Sequence, residues 1–258
     1  MRIPGGIIRA DGQVEQIVVL RPIDGRLEFA LCEAVSRASN VEAASDALIE
    51  TICDMPLPHG ARGLNSADRR FLLAQLAAKL GTAMVWQSVK CDTCGDVFEV
   101  PIDLSSLPFK QAAGGYPFAS ATIGGREHRF RIPTELDFDV LPSGDVREAV
   151  VALVRGCAVD PLPEWLSDDD LSEIDASLQD ASPEIAETAQ TACPSCGASA
   201  EACIEILARA TTAVADPLEE IHRIASAYHW QEAAILDMPR DRRRAYLALI
   251  DRDAGMMR

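Results

Sequence analysis

The chain has 258 residues, 48% of them hydrophobic and 25% charged, which leaves room for one or two domains with a substantial core. These values argue against a disulfide-stapled miniprotein and against a mainly disordered chain. The 24 basic and 40 acidic residues give a formal net charge of −16, which disfavours nucleic acid as the main partner.

The apolar runs of the chain are short. The strongest of them, Ile17 to Leu20 and Ala149 to Val154, have neither the length of a signal-peptide core nor that of a membrane span. We therefore expect a cytoplasmic product without a membrane span. In a reducing compartment, the eight cysteines are better explained by metal binding or burial than by disulfides.

The N-terminal part, residues 1–82, is predicted to contain a strand followed by helices. A β-branched run at Gln16 to Leu20 is typical of a strand. Three helices should follow, the third with Ser66 as its N-cap and Gly81 at its end. Their apolar faces are formed by Leu27, Leu31, Ala34 and Val35, by Ala44, Leu48 and Ile52, and by Phe71, Leu72, Leu76 and Leu80.

The middle part, residues 83–210, is predicted to be a small β unit. Two strand-like runs, Met84 to Lys90 and Val97 to Leu104, flank a turn that contains two cysteines. A further strand is expected at Arg126 to Ile132 and a helix at Val146 to Val154.

An acidic segment, residues 159–190, lies within this middle part. Between Asp160 and Glu187 there are ten acidic residues and no lysine or arginine. Such a run is usually a solvated helix face or a linker, and the alternative is a surface for a basic partner. One amphipathic helix could bury the apolar residues of the segment, which are Leu166, Leu171, Ile174 and Leu178.

The C-terminal part, residues 211–258, is predicted to consist of three helical pieces. Asp216 and Pro217 form a typical helix start. A cluster of arginines near the end is expected on a solvated helix terminus, and its members are Arg240, Arg242, Arg243 and Arg244. The alternatives are contact with an acidic partner or with the acidic segment of the chain itself. The predicted fold class is thus α+β, with helical N- and C-terminal parts around a small β unit.

Two cysteine motifs carry the clearest chemical signal. Cys91 and Cys94 form one Cys-x-x-Cys pair and Cys193 and Cys196 form another, each followed directly by glycine. This spacing lets both sulfurs of a pair bind one ion, and the glycine permits a tight turn. Because four cysteines leave no open ligand position, the sequence predicts a structural rather than a catalytic Zn²⁺ in a zinc-ribbon-like unit.

The separation of the two motifs leaves alternatives open. Residues 95–192 lie between them, so either this segment is a long insertion or each motif closes a site of its own. A redox dithiol, an iron–sulfur cluster or four unligated thiols are further alternatives. The remaining cysteines lie in apolar patterns and are predicted to be buried, namely Cys32, Cys53, Cys157 and Cys203.

Catalytic motifs are missing from the sequence. It has no phosphate-binding loop, no paired-histidine metalloprotease motif, no nucleophile elbow and no dinucleotide fingerprint. The four histidines are better explained as core or solvated side chains than as bases, and they are His59, His128, His222 and His229. We therefore expect a protein that is not an enzyme.

Several segments occur in a recognisable order. They are Leu20 to Arg26, Ala67 to Arg70, the two cysteine motifs, Glu220 to Trp230, Glu232 with Ile235-Leu236, and Arg242 to Leu247. Together they resemble the baseplate-hub assembly family of contractile-tailed phages of the T-even type and of phage-like contractile injection systems. The resemblance implies an assembly factor, chaperone or minor component of the hub that contacts other baseplate or tail proteins. Its place would be the cytoplasm of a bacterial host or the assembled particle.

The resemblance also implies a contact surface in the C-terminal part, formed by Tyr228, His229, Trp230 and Ile235. The alternative for these residues is a local helix–helix core. The alternative function for the whole chain is that of a zinc-ribbon adaptor or regulatory protein unrelated to tails.

Overall fold

The computed structural model describes residues 1–9 and 11–256, and within this part the fold is mixed α+β, as predicted. The strands are β1 (Arg2–Ile8), β2 (Val14–Ile17), β3 (Met84–Lys90), β4 (Val97–Asp103), β5 (Phe109–Lys110), β6 (Phe118–Ile123), β7 (Arg126–Arg131), β8 (Glu184–Ile185), β9 (Thr188–Ala192) and β10 (Ser199–Cys203). They pair antiparallel in two-stranded sheets, β1 with β2, β3 with β4, β5 with β8, β6 with β7, and β9 with β10.

The helices are α1 (Gly25–Arg37), α2 (Val41–Ile52), α3 (Ser66–Lys79), α4 (Glu135–Phe138), α5 (Val146–Cys157), α6 (Asp168–Ala181), α7 (Ile206–Thr212), α8 (Leu218–Tyr228), α9 (Glu232–Leu236) and α10 (Arg240–Met256). Among the described residues, none of these helices combines the length and the hydropathy that a transmembrane helix needs.

The main core lies around α3. Leu72, Leu73 and Leu76 of this helix are almost completely buried, together with Leu31 of α1 and Leu48 of α2. The hairpins β3–β4 and β9–β10 add apolar residues to the same core, and α7 packs against α2 and α3. The predicted boundary at residue 210 therefore falls inside α7, a helix that belongs to the main core.

The start of α3 differs by one residue from the prediction. Asn65, not Ser66, is the N-cap, because its side-chain oxygen accepts a hydrogen bond from the Asp68 backbone N–H at 2.9 Å. The Asp68 carboxylate in turn accepts hydrogen bonds from the N–H groups of Gly5 and Gly6, each at 2.8 Å. This buried carboxylate fastens β1 to α3.

Strand β1 was not predicted, because Pro4, Gly5 and Gly6 are residues that strands disfavour. The strand expected at Gln16 to Leu20 ends earlier in the structure, as β2 closes at Ile17 and pairs with Arg2 of β1.

An insertion lobe, residues 111–183, separates the two hairpins of the main core. The chain enters and leaves it through the short β5–β8 pair, in which Phe109 faces Ile185 and Lys110 faces Glu184. The lobe has a small core of its own, formed by Ala121, Ile123, Phe130, Val154, Leu166 and Ile174. The amphipathic helix expected in the acidic segment is α6.

The predicted strand and helix of the lobe are also present as β7 and α5, whereas β6 was missed. Contacts between the lobe and α3 include a hydrogen bond from Asn65 Nδ2 to the Tyr116 hydroxyl at 3.0 Å and an ion pair between Arg69 and Glu135 at 2.9 Å.

The C-terminal helices α8, α9 and α10 form the three pieces that the sequence predicts. Their own core consists of Ile221, Ile224, Ile235 and Leu247. They pack on α1 at its first residue, where a Cβ at Gly25 would lie 3.0 Å from the Cα of Leu236.

The prediction of a solvated arginine cluster is wrong for Arg243. Its side chain is completely buried and forms an ion pair with Glu28 of α1. The prediction is also wrong for Arg240, whose side chain is only 11% exposed and pairs with Glu28 at 3.0 Å. The sequence pattern could not indicate this, because Glu28 lies more than 200 positions away in the chain.

Candidate metal centre

The two cysteine motifs occupy equivalent turns in the hairpins β3–β4 and β9–β10. Cys91 directly follows β3, and Cys193 directly follows β9. Antiparallel pairing closes each hairpin at its cysteine end, with Lys90 facing Val97 in one and Ala192 facing Ser199 in the other.

The two turns have the same backbone hydrogen bonds. In the first, the Cys91 N–H donates to the Asp96 carbonyl at 2.8 Å, and the Gly95 N–H donates to the Cys91 carbonyl at 2.9 Å. In the second, the Cys193 N–H donates to Ala198 and the Gly197 N–H to Cys193, both at 2.8 Å. Gly95 and Gly197 have φ values of +74° and +75°, which explains why glycine follows the second cysteine of each pair.

The four sulfurs converge on one point between the two turns. Cys91 Sγ lies 3.7 Å from Cys196 Sγ, Cys94 Sγ lies 3.7 Å from Cys193 Sγ, and all four sulfurs are within 4.8 Å of one another. The cysteines are free thiols, since a disulfide would need a sulfur–sulfur distance of about 2.0 Å. The two motifs therefore form one cluster that could hold a metal ion.

The spacing of the sulfurs fits a tetrahedral ion. A zinc–sulfur distance of about 2.3 Å in a regular tetrahedron places the sulfurs about 3.8 Å apart. The two distances of 3.7 Å between the motifs agree with this value. Each motif supplies one buried cysteine, Cys91 or Cys193, and one exposed cysteine, Cys94 or Cys196.

The electrostatics of the cluster differ from thiol to thiol. The backbone N–H of Cys94, helped by that of Thr93, faces the Cys91 sulfur and lowers its pKa to about 7. For Cys94, the backbone N–H of Asp96 favours the thiolate. The thiols of Cys196, Cys91 and Cys193, together with burial, have the larger opposite effect and raise the pKa of Cys94 to about 12. Crowded thiols cannot all ionise without a cation, so a metal ion would have to displace protons on binding.

A polar contact outside the cluster joins the two turns. The Ser195 hydroxyl, in the second motif, donates a hydrogen bond to the Asp96 carboxylate, which follows the first motif. The sequence pattern did not indicate this pair, because Asp96 and Ser195 are 99 positions apart and neither is one of the cysteines. The only available signal was that both stand within two residues of a cysteine in a turn.

The other four cysteines lie outside the cluster. Cys53 and Cys157 are buried as predicted, and burial raises the pKa of each thiol to about 11. Cys32 is partly buried. The prediction is wrong for Cys203, which is exposed, because it ends β10 on the face opposite to the buried Ala202.

The histidines have no common site. His59, His222 and His229 are exposed. His128 is buried on β7, and its Nδ1 has no hydrogen-bond partner among the described residues. The group of possible metal ligands found among the described residues is the cysteine cluster, and it contains no histidine.

The residues proposed as a partner surface lie at the junction of α8 and α9. Tyr228 and Trp230 are half-buried and stacked, with ring centroids 4.8 Å apart, and both also contact Tyr246. His229, between them, is exposed and has a φ of 55°. Ile235 is completely buried in the core of the C-terminal helices, so it is a packing residue and not part of an accessible surface.

Comparison of the chain with protein-family models, with curated proteins and with solved structures gives no significant match. The geometry of the site is that of four cysteines from two equivalent hairpin turns, which together could hold one metal ion.

Proposed function

We propose that Cys91, Cys94, Cys193 and Cys196 bind one structural Zn²⁺ in a zinc-ribbon-like unit. The observation that carries the proposal is the pair of 3.7 Å sulfur–sulfur distances between the two motifs. Iron in a tetrahedral four-sulfur site would have a similar spacing, but zinc is the usual ion of two Cys-x-x-Cys turns.

The proposed ion closes a long loop. Residues 95–192 leave one turn and return to the other, and the two residue pairs of β5 and β8 form the neck of this loop. A bond network through the metal would restrain both ends, and its binding free energy would add to the free energy of folding. Four protein ligands also leave no position for a substrate, which supports a structural role.

We further propose that the protein is a non-enzymatic assembly factor or minor component of the baseplate hub of a contractile phage tail or injection system. The support is the ordered resemblance of Leu20 to Arg26, Ala67 to Arg70, the cysteine motifs and the C-terminal segments. Its action would consist of contacts with other hub or tail proteins, with the zinc maintaining the surface that makes them.

The metal proposal is tested on the purified full chain. Elemental analysis should give one zinc per chain, and replacement by Co²⁺ should give the intense thiolate charge-transfer and visible bands of a tetrahedral four-sulfur site. Iron in place of zinc, or a cobalt spectrum with oxygen or water ligands, would contradict the proposal.

The assembly proposal is tested by quantitative mass spectrometry in the native host. Sheath-containing particles should contain the chain at a fixed ratio to tail proteins, or soluble hub complexes should contain it during assembly. The first result would identify a structural component and the second a chaperone. Absence from both fractions would contradict the proposal and favour an adaptor unrelated to tails.

A further inference from the structure

The insertion lobe leaves the outer face of α5 uncovered. Val146 is 77% exposed and Val150 39% exposed, although both are apolar and share a face with Leu153. These three residues follow the i, i+4, i+7 spacing of one helical stripe, about 10 Å long. On a helix of the main core such a stripe would be buried.

Two cavities flank this stripe. The first, about 370 Å³, lies between α5 and α6, and its apolar lining includes Leu171, Ile174 and Leu178. The second, also about 370 Å³, lies between α5 and the segment that follows α4, where Phe138 and Leu141 line it. Val150 and Leu153 line both cavities, so the cavities and the stripe form one continuous surface, which we call the α5 groove.

The rim of the α5 groove is acidic. Asp175 lines the first cavity and Asp145 the second, and both are exposed. Among the residues that the structure describes, neither of these two carboxylates lies within 4.0 Å of a lysine or arginine nitrogen.

Four of the five basic residues of the lobe contact groups outside the lining of the groove. The lobe contains five arginines, no lysine and fourteen acidic residues. Arg155 donates to the carbonyls of Pro163 at 2.9 Å and Glu164 at 2.7 Å, and Arg147 donates to that of Leu166 at 2.8 Å. These arginines hold the loop before α6 in place and leave the rim negative.

We propose that the α5 groove is the docking site for an amphipathic helix of a partner protein, apolar on one face and carrying lysine or arginine along its flanks. The cavities on either side of Val150 would bind apolar side chains of the partner helix at positions i, i+3 or i+4, and i+7. This is the usual spacing of the anchor residues of a helix that binds in an apolar groove. The carboxylates at the rim would pair with the basic flanks. A second copy of this lobe is disfavoured, because two surfaces of the same negative sign would face each other. The inference does not depend on the metal or on the assembly proposal.

The test uses the full chain with its metal and a displayed library of helical peptides of about 18 residues. Each peptide keeps four apolar positions at helical spacing, and the remaining positions sample Lys, Glu, Ser and Ala. The matched variants are Val150→Arg in the groove and Leu249→Arg on α10, since both residues are on helices and are 39% and 37% exposed. Circular dichroism and thermal unfolding establish that both variants fold.

Selection on the wild type should enrich peptides with Lys on the flanks of the apolar stripe. Val150→Arg should weaken binding of the selected peptide at least about tenfold, and Leu249→Arg should leave it unchanged. Asp175→Asn and Asp145→Asn should each weaken it about two- to fivefold, whereas Glu99→Gln, an exposed acid on β4, should not. Asparagine at 145 retains the N-cap of α5, so that variant changes the charge and not the helix.

Three results would overturn the proposal. One is enrichment of no peptide, or of peptides without basic flanks. Another is equal binding to Val150→Arg and to the wild type. The third is a concentration-dependent dimer in sedimentation that Val150→Arg abolishes, because the groove would then be an interface between copies of this chain.

Discussion

The sulfur of Cys94 lies 3.7 Å from the sulfur of Cys193, although the two residues are 99 positions apart in the chain. The contact joins the exposed cysteine of one turn to the buried cysteine of the other. An ion between them would therefore hold together two hairpins that are joined elsewhere by the β5–β8 neck, the core and the Ser195–Asp96 hydrogen bond.

Replacement of one ligand should remove the ion. Cys193→Ser should lower the zinc content from one per chain to near zero and lower the free energy of unfolding by about 3–4 kcal/mol, the value for an ion present at several hundred times its dissociation constant. Elemental analysis and denaturant unfolding measure the two effects.

The matched control for this prediction is Cys203→Ser, which changes an exposed cysteine in the same hairpin that lies outside the cluster. It should retain both the zinc and the stability. Retention of one zinc per chain in Cys193→Ser would refute a site shared by the two motifs.

The buried ion pair between Glu28 and Arg243 should be required for docking of the C-terminal helices on α1. Arg243→Met should lower the free energy of unfolding by about 3 kcal/mol, because the Glu28 carboxylate would remain buried with only Arg240 beside it. Arg242→Met, at an exposed position on the same helix, should change it by less than about 0.5 kcal/mol.

The double variant Glu28→Leu with Arg243→Met should regain part of the loss in stability, since it removes the buried Glu28 carboxylate, while Arg240 and Glu220 each lose one partner. A double variant that is less stable than Arg243→Met would contradict this expectation, because it would show that the Glu28 carboxylate stabilises the fold even without Arg243.

Replacement by glycine should change the free energy of unfolding in opposite directions at two histidines, His222 in α8 and His229 directly after it. His229 has a left-handed backbone with a φ of 55°, where its backbone N–H closes the helix by donating to the Ala225 carbonyl at 2.8 Å. His229→Gly should therefore raise the free energy of unfolding by about 1 kcal/mol. His222→Gly, in the interior of α8, should lower it by about 0.5 kcal/mol. Thermal unfolding of both variants checks the signs, and equal signs would contradict the strain at His229.

The ion pair of Asp137 with Arg131 should make part of the stability of the lobe depend on pH. Burial alone would raise the pKa of Asp137, but hydrogen bonds from Arg131 and from the Thr134 backbone N–H outweigh it and lower the pKa below its usual 3.8. A carboxyl group whose pKa is lower in the folded than in the unfolded state stabilises the folded state at pH values above its unfolded-state pKa. This contribution is lost as the pH falls through the folded-state pKa.

Asp137→Asn should consequently lower the free energy of unfolding by about 1–2 kcal/mol at neutral pH, and the difference from the wild type should shrink below about pH 4. Comparison at each pH cancels the loss of metal, which affects both proteins. Glu173→Gln, an exposed change in the same lobe, should show no such convergence. A difference that stays constant down to about pH 3 would contradict the contribution of the ion pair.

Features that local interactions determine were predicted more accurately than features that depend on contacts between residues far apart in the chain. Strand β3 was predicted residue for residue as Met84 to Lys90, because alternating burial and the turn at Cys91 are local features. Strand β6 and the N-cap Asn65 were missed or misplaced, since a strand with three alanine or serine residues and two adjacent cap candidates carry weak local signals. The burial of Arg243 had no local signal at all.

The sequence by itself determined the chemistry of the candidate site. Cys-x-x-Cys-Gly is a local geometry, so the ligand type, the tight turn and the need for a positive φ at Gly95 and Gly197 follow from the residues alone. Only the tertiary structure decided that the two turns meet, because closing residues 95–192 depends on the β5–β8 neck and on packing of both hairpins on the main core. The same holds for the α5 groove. The helical spacing of its apolar residues is a local feature of the sequence, but their exposure depends on which elements pack against α5 in the fold.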